Sequence, residues 1–152
     1  MEKVCRDWAK QAFGEGLVDA KYWDEFATNA QTAAAEVYKV KDFAAGEAKL
    51  KELLAQYAPK EIIAVGGEEN PALHDIYERI GKDGTQIYTD KFDIYDHRDS
   101  ADVGISTAEF CVAETGSLCV DNYSYEARVT SMLPFVNIVF VNANYIVKDV
   151  TM

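Results

Sequence analysis

The segment from Ala101 to Val147 decides the fold of this chain. It reads ADVGISTAEFCVAETGSLCVDN from residue 101 to 122 and, after a short polar gap, EARVTSMLPFVNIVFVNANYIV from residue 126 to 147. Short apolar runs bounded by turn residues predict three strands here, at Val103–Ile105, Phe110–Ala113 and Leu118–Val120. Tyr125–Leu133 has the spacing of a helix and is followed by Pro134. Phe135–Val147 predicts one long strand or two short ones, with a break near residues 142–144.

Upstream of this segment, strand and helix patterns alternate. Ile62–Val65 is a continuous apolar run that ends in Gly66-Gly67, which is typical of a parallel strand buried on both faces. Pro71–Ile80 predicts a helix, and Thr85–Thr89 predicts the next strand. This alternation indicates an α/β fold with a mostly parallel sheet.

The remaining regions are predicted to be helical or connecting. The first 57 residues have helical spacing, with one helix expected over Tyr22–Val40 and another after an N-terminal cap at Asp42. Asp90–Ser100 is rich in aspartate and is predicted to be a polar connection. We therefore expect a helical region over residues 1–58 that packs on an α/β core over residues 59–152, within a single domain.

Composition excludes several functional classes. The chain has 152 residues, of which 49% are hydrophobic and 27% are charged, as in ordinary globular proteins. Its net charge of -11 argues against nucleic-acid binding, which needs a basic surface. No apolar run approaches the roughly 20 residues that cross a bilayer, and the N-terminus MEKVCRDWAK is too charged for a secretory signal. We expect a cytoplasmic protein without membrane insertion.

Cysteine and histidine do not suggest a metal site. Cys5, Cys111 and Cys119 are odd in number and lack C-x-x-C spacing. Cys111 and Cys119 either face each other across a hairpin or are small apolar core residues. His74 is expected on a helix and His97 in a polar loop, both as ordinary surface residues without metal partners at ligand spacing.

Two turns are candidate ligand sites. Gly66-Gly67 lies between a strand and a helix, where backbone N–H groups can hold a phosphate or carboxylate, although a plain tight turn explains it as well. Glu114, Thr115, Gly116 and Ser117 form the other turn. Glu114 can act as a general base or nucleophile, the two hydroxyls can donate hydrogen bonds, and Gly116 permits close approach of a substrate. The alternative is a hairpin turn whose Glu114 pairs with Arg128 or caps a helix.

Arg128 lies in an otherwise apolar helical stretch. Its planar guanidinium suits a carboxylate or phosphate ligand. An ion pair with Glu114 or Asp102 is an equal alternative. Asp102 and Asp121 are secondary carboxylate candidates that could instead cap turns.

These residues carry a family resemblance. ADVGISTAEFCVAETGSL followed by ARVTSMLPFVNIVFV resembles the core signature of the LUD domain, the LutC/YkgG-like family of lactate-utilisation proteins. The resemblance implies a three-layer α/β/α fold like that of sugar-phosphate isomerases, acyl-CoA transferases and formyltetrahydrofolate cyclo-ligases. It also places Glu114 in a motif similar to that of the CoA-transferase nucleophile, which is an analogy of fold only.

The resemblance also suggests a function. It implies an accessory subunit that works beside iron–sulfur and oxidoreductase subunits in oxidising L-lactate to pyruvate. We expect no cofactor in this chain, any iron–sulfur cluster in partner subunits, and a small carboxylate or phosphate ligand. An acyl- or phosphoryl-type enzyme and a degenerate, homodimeric assembly domain are the alternatives.

The sequence departs from the family pattern in two places. Asn137 stands where the family usually has histidine, which argues against proton transfer at that position. Family members also continue with Gly-Pro-Ser and Thr-Ala-Asp-Ile-Glu segments, whereas this sequence ends at Met152. We expect either a shortened stand-alone member or a segment supplied elsewhere.

Overall fold

The structure is a computed structural model that describes residues 17–120, 122 and 124–151. These residues form two compact units. The hairpin unit comprises residues 17–39, 108–120, 122 and 140–151, and the parallel-sheet unit comprises residues 40–107 and 124–139. In chain order, the helices and strands are α1 (Trp23–Thr32), α2 (Phe43–Tyr57), β1 (Glu61–Ala64), α3 (Pro71–Lys82), β2 (Gln86–Tyr88), α4 (Lys91–His97), β3 (Val103–Thr107), β4 (Phe110–Val112), β5 (Ser117–Cys119), α5 (Tyr125–Met132), β6 (Val136–Phe140) and β7 (Ile146–Val147).

A four-stranded sheet organises the parallel-sheet unit. The strand order is β2-β1-β3-β6, and β1 runs parallel to both β2 and β3. Ile63, near the centre of β1, has Tyr88 and Gly104 as its register partners. Because the chain passes from β1 to β2 and then returns to the other side of β1, the direction of winding reverses between β1 and β3.

Helices cover both faces of this sheet. Ile63 packs in one core cluster with Ile94 of α4 and Val129 of α5. Neighbouring side chains in a strand point to opposite faces, so Ile62 points away from that cluster. The phenol of Tyr77 in α3 donates to the Val65 carbonyl at 2.8 Å. The fold is α/β with a mostly parallel sheet, as predicted, and is consistent with three α/β/α layers.

A smaller sheet organises the hairpin unit. Its order is β5-β4-β7, with β4 antiparallel to β5 and parallel to β7. On one face, Cys111, Ala113 and Ile146 pack with Phe26 and Ala30 of α1. Because Cys111 pairs with Leu118 while Cys119 pairs with Phe110, the two cysteines point to opposite faces. The expectation that they could face each other is therefore wrong, and both are free thiols.

Most predicted elements of the core are confirmed. Asp42 caps α2 through a 2.8 Å bond from the Ala45 N–H, and residues 135–147 contain two short strands. The polar connection predicted at Asp90–Ser100 is wrong, because Asp90 caps α4 there and Ile94 is fully buried. This also corrects His97, which ends a helix rather than lying in a loop.

The Ala-rich helix is shorter than predicted. It ends at Thr32, and Ala34 has a φ of 69°, a left-handed conformation that does not continue a helix. Residues 1–16, part of the region predicted to be helical, fall outside the described residues. None of the helices in the described ranges is long and apolar enough to cross a membrane.

Candidate functional site

The Glu114 turn joins β4 to β5 in the hairpin unit. Its shape depends on Gly116, which has a φ of 66° and donates its N–H to the Val112 carbonyl at 2.9 Å. Glu114, Thr115 and Ser117 are all exposed. The structure thus places the predicted carboxylate and hydroxyls together on one surface turn.

Four hydrogen bonds to other segments hold the backbone of Ala113 and Glu114. The N–H groups of Ala113 and Glu114 donate to the Val147 and Lys148 carbonyls at 2.9 and 3.0 Å. Their own carbonyls accept from the side-chain amide of Asn29 in α1, at 2.8 and 3.1 Å. Backbone polar groups of both residues are therefore satisfied, and the Glu114 side chain extends into solvent from a fixed backbone.

Helix α1 explains the glycine at position 116. A Cβ on Gly116 would lie 2.2 Å from the Ala30 nitrogen and 2.5 Å from the Asn29 carbonyl carbon. Only glycine permits such a close approach of two backbones. The space beside Gly116 is occupied by α1, which gives this glycine a structural role.

The Gly66-Gly67 turn lies at the carboxyl end of β1 in the parallel-sheet unit. Gly66 has a φ of 94°, and a Cβ there would lie 2.8 Å from Cγ2 of Thr107, at the end of β3. This is the point where the winding of the sheet reverses, which is where open α/β sheets bind ligands. Helix α3 begins just beyond, with Asn70 as its cap. Its N-terminus favours an anion, although the exposed Glu68 and Glu69 oppose one.

Arg128 lies on α5 of the same unit. It is exposed between Ala127 and Val129, which are both buried. Asp102, one of its suggested partners, accepts the Lys60 N–H at 2.7 Å and thereby holds the start of β1. Asp102 therefore has a structural role. Glu114 belongs to the other unit, and Asp121 falls outside the described residues.

A polar cluster around Glu61 was not predicted from sequence. His97 Nδ1 lies 3.3 Å from Glu61 Oε2, and the Ser100 hydroxyl donates to the same oxygen. The His97 ring stacks on Tyr88 with centroids 3.7 Å apart. No local motif signals this cluster, because Glu61 and His97 are 36 residues apart. His74, by contrast, is exposed beside Glu78, as expected of a surface histidine.

Asn137, at the position where histidine is usual, joins three elements of the parallel-sheet unit. Its Oδ1 accepts from the buried Ser106 hydroxyl at 3.3 Å, and its Nδ2 donates to the Ser131 carbonyl at 3.0 Å. These contacts tie β6 to β3 and to α5. The amide of Asn137 therefore supports the packing of these elements.

The residues that the structure describes contain no group of three or more His, Cys, Asp or Glu side chains able to hold a metal ion. Burial raises the pKa of the Cys111 thiol to about 12, so this cysteine is protonated and unreactive near neutral pH. Burial likewise raises the pKa of the Tyr77 phenol. Neither group has the lowered pKa expected of an activated nucleophile.

The fold defines an α/β protein with a mostly parallel four-stranded sheet. The model of the LUD domain family matches residues 23–152, which include nearly all of the described residues. This chain belongs to the LUD domain family, as its resemblance suggested. No curated protein and no solved structure gives a significant match.

Proposed function

We propose that this chain is an accessory subunit in the oxidation of L-lactate to pyruvate, or in a related electron-transfer system. The observation that carries the proposal is the LUD family match over residues 23–152, because LUD domains are associated with lactate-utilisation proteins. In this role the chain binds a small carboxylate or a partner subunit. Any iron–sulfur cluster resides in the partners, and pairing with a second copy of the chain stays a prediction.

Arg128 and the Gly66-Gly67 turn are the groups that favour the parallel-sheet unit for binding a small carboxylate. Lactate and pyruvate are anions, so the exposed guanidinium of Arg128 attracts them and the Glu114 carboxylate repels them. The turn at Gly66-Gly67 adds backbone N–H groups and the start of α3. Support for binding in this unit therefore comes from Arg128 and from the junction between β1 and α3 at Gly66-Gly67.

The test is deletion of the gene in its native host, followed by complementation. We expect growth on L-lactate to fail in the deletion strain and to return with the wild-type gene, while growth on glucose stays normal. Arg128→Gln should restore growth poorly. Arg79→Gln is the matched control, because Arg79 is a surface arginine of the same unit that pairs with Glu47 at 2.7 Å. Normal growth of the deletion strain on L-lactate would reject the proposal.

A second candidate function is an acyl- or phosphoryl-type enzyme with Glu114 as base or nucleophile. The observation that favours it is the fixed backbone beneath an exposed carboxylate, since catalytic groups need such support. In the same complementation assay, Glu114→Gln would abolish function if Glu114 is catalytic. Glu25→Gln, a matched change at an exposed residue of α1, should restore growth fully.

A further inference from the structure

We propose that Asn29 is a positioning residue for Glu114. Its side-chain amide donates to the carbonyls of Ala113 and Glu114 at 2.8 and 3.1 Å, across 84 and 85 residues of sequence. One amide group thus joins two consecutive peptide units of the turn to helix α1. The inference rests on the second candidate function, in which Glu114 is the base or nucleophile.

Asn29 is itself held in place by the core of the hairpin unit. Phe26 and Ala30, on either side of it in α1, are buried against Cys111, Ala113 and Ile146. A donor on such an anchored helix has little freedom to follow a moving turn. It therefore fixes the direction in which the Glu114 side chain leaves the backbone.

The chemistry of an amide suits this task. The Asn29 NH2 group supplies one proton to each of the two carbonyl oxygens without adding a charge near the Glu114 carboxylate, and the Ala113 carbonyl also accepts from the Gly116 N–H at 3.3 Å. Asn29→Asp keeps almost the same shape but replaces those donors with a carboxylate, which repels both carbonyls. This substitution therefore removes the positioning contact with little change in packing.

The experiment combines amide hydrogen exchange with complementation. The variants are Asn29→Asp, Glu114→Gln and the double variant, in the full-length chain. Gln31→Glu is the control, because it makes the same amide-to-carboxylate change at an exposed residue of the same helix. We expect the Glu114 and Gly116 amides to exchange about tenfold faster in Asn29→Asp, equivalent to about 1.4 kcal/mol, and at the wild-type rate in Gln31→Glu.

Complementation then tests whether the function of Glu114 depends on the contact between Asn29 and the turn. Asn29→Asp should impair L-lactate growth as Glu114→Gln does, and the double variant should be no worse than either one, as expected of residues that act as a unit. Unchanged exchange in Asn29→Asp would overturn the inference. Normal growth of Asn29→Asp beside defective Glu114→Gln would also overturn it. Normal growth of Glu114→Gln would instead reject the role of Glu114 itself, and the positioning inference with it.

Discussion

Gly104 shows how closely α5 lies on the central strand β3. A Cβ at this position would lie 2.2 Å from the Thr130 carbonyl oxygen and 2.9 Å from Cγ of Pro134. Backbone cannot move away as a flexible side chain can. The glycine is therefore required by packing, in the same way that Gly116 is required by α1.

Gly104→Ala should destabilise the protein by at least about 2 kcal/mol, because it overpacks the contact between β3 and α5. Gly81→Ala in α3 is the matched control. Its new methyl group would meet only Ile87 Cγ2, at an ordinary 3.4 Å, and we expect it to stabilise by about 0.5–1 kcal/mol. Urea unfolding followed by far-UV circular dichroism measures both. Equal effects of the two substitutions would contradict this account of Gly104.

Residue-level contacts divide into those that sequence can predict and those that it cannot. The Glu114 turn was predicted because Glu-Thr-Gly-Ser between two apolar runs is a local signal. Asn29 was not predicted, since its contact with that turn spans 85 residues and follows no motif. The same holds for His97 and Glu61, which the parallel crossover brings together.

At the scale of elements, the register between β4 and β5 separates the two thiols, which face each other in one of the two interpretations of the sequence. Cys111 is buried against α1, whereas Cys119 is paired with Phe110 and therefore points to the opposite face. Helix α4 shows the converse difficulty. The aspartates in this stretch made it look like a polar connection. It is a helix with its cap at Asp90 and one buried side chain, that of Ile94. Local polarity therefore misled the prediction, because short helices need few apolar residues.

Burial of Cys111 in β4 predicts a loss of stability in alkali. Its pKa is raised from 9.0 to about 12 in the folded chain, so the unfolded chain releases this proton first as pH rises. The stabilisation that comes from this raised pKa is complete below about pH 9 and is lost as pH rises towards about 12. We expect the free energy of unfolding to fall by about 1–2 kcal/mol more between pH 9 and about 10.5 in the wild type than in Cys111→Ala. Parallel pH profiles of the two proteins would contradict this effect.

At the scale of the whole molecule, the family match spans elements of both units. The α/β class was predictable because strand and helix periods alternate along residues 61–147. The two compact units were not, since each is assembled from separate stretches of the chain. Local periodicity reports elements but not which distant stretches pack together.

The proposed role in lactate oxidation belongs to this scale as well. It is tested most directly by adding the purified chain to an extract of the deletion strain and measuring L-lactate-dependent reduction of an electron-accepting dye. We expect the extract alone to be inactive with L-lactate and to regain activity as the protein is added, while succinate-dependent reduction stays constant. Full L-lactate-dependent reduction without the protein would contradict the proposed function.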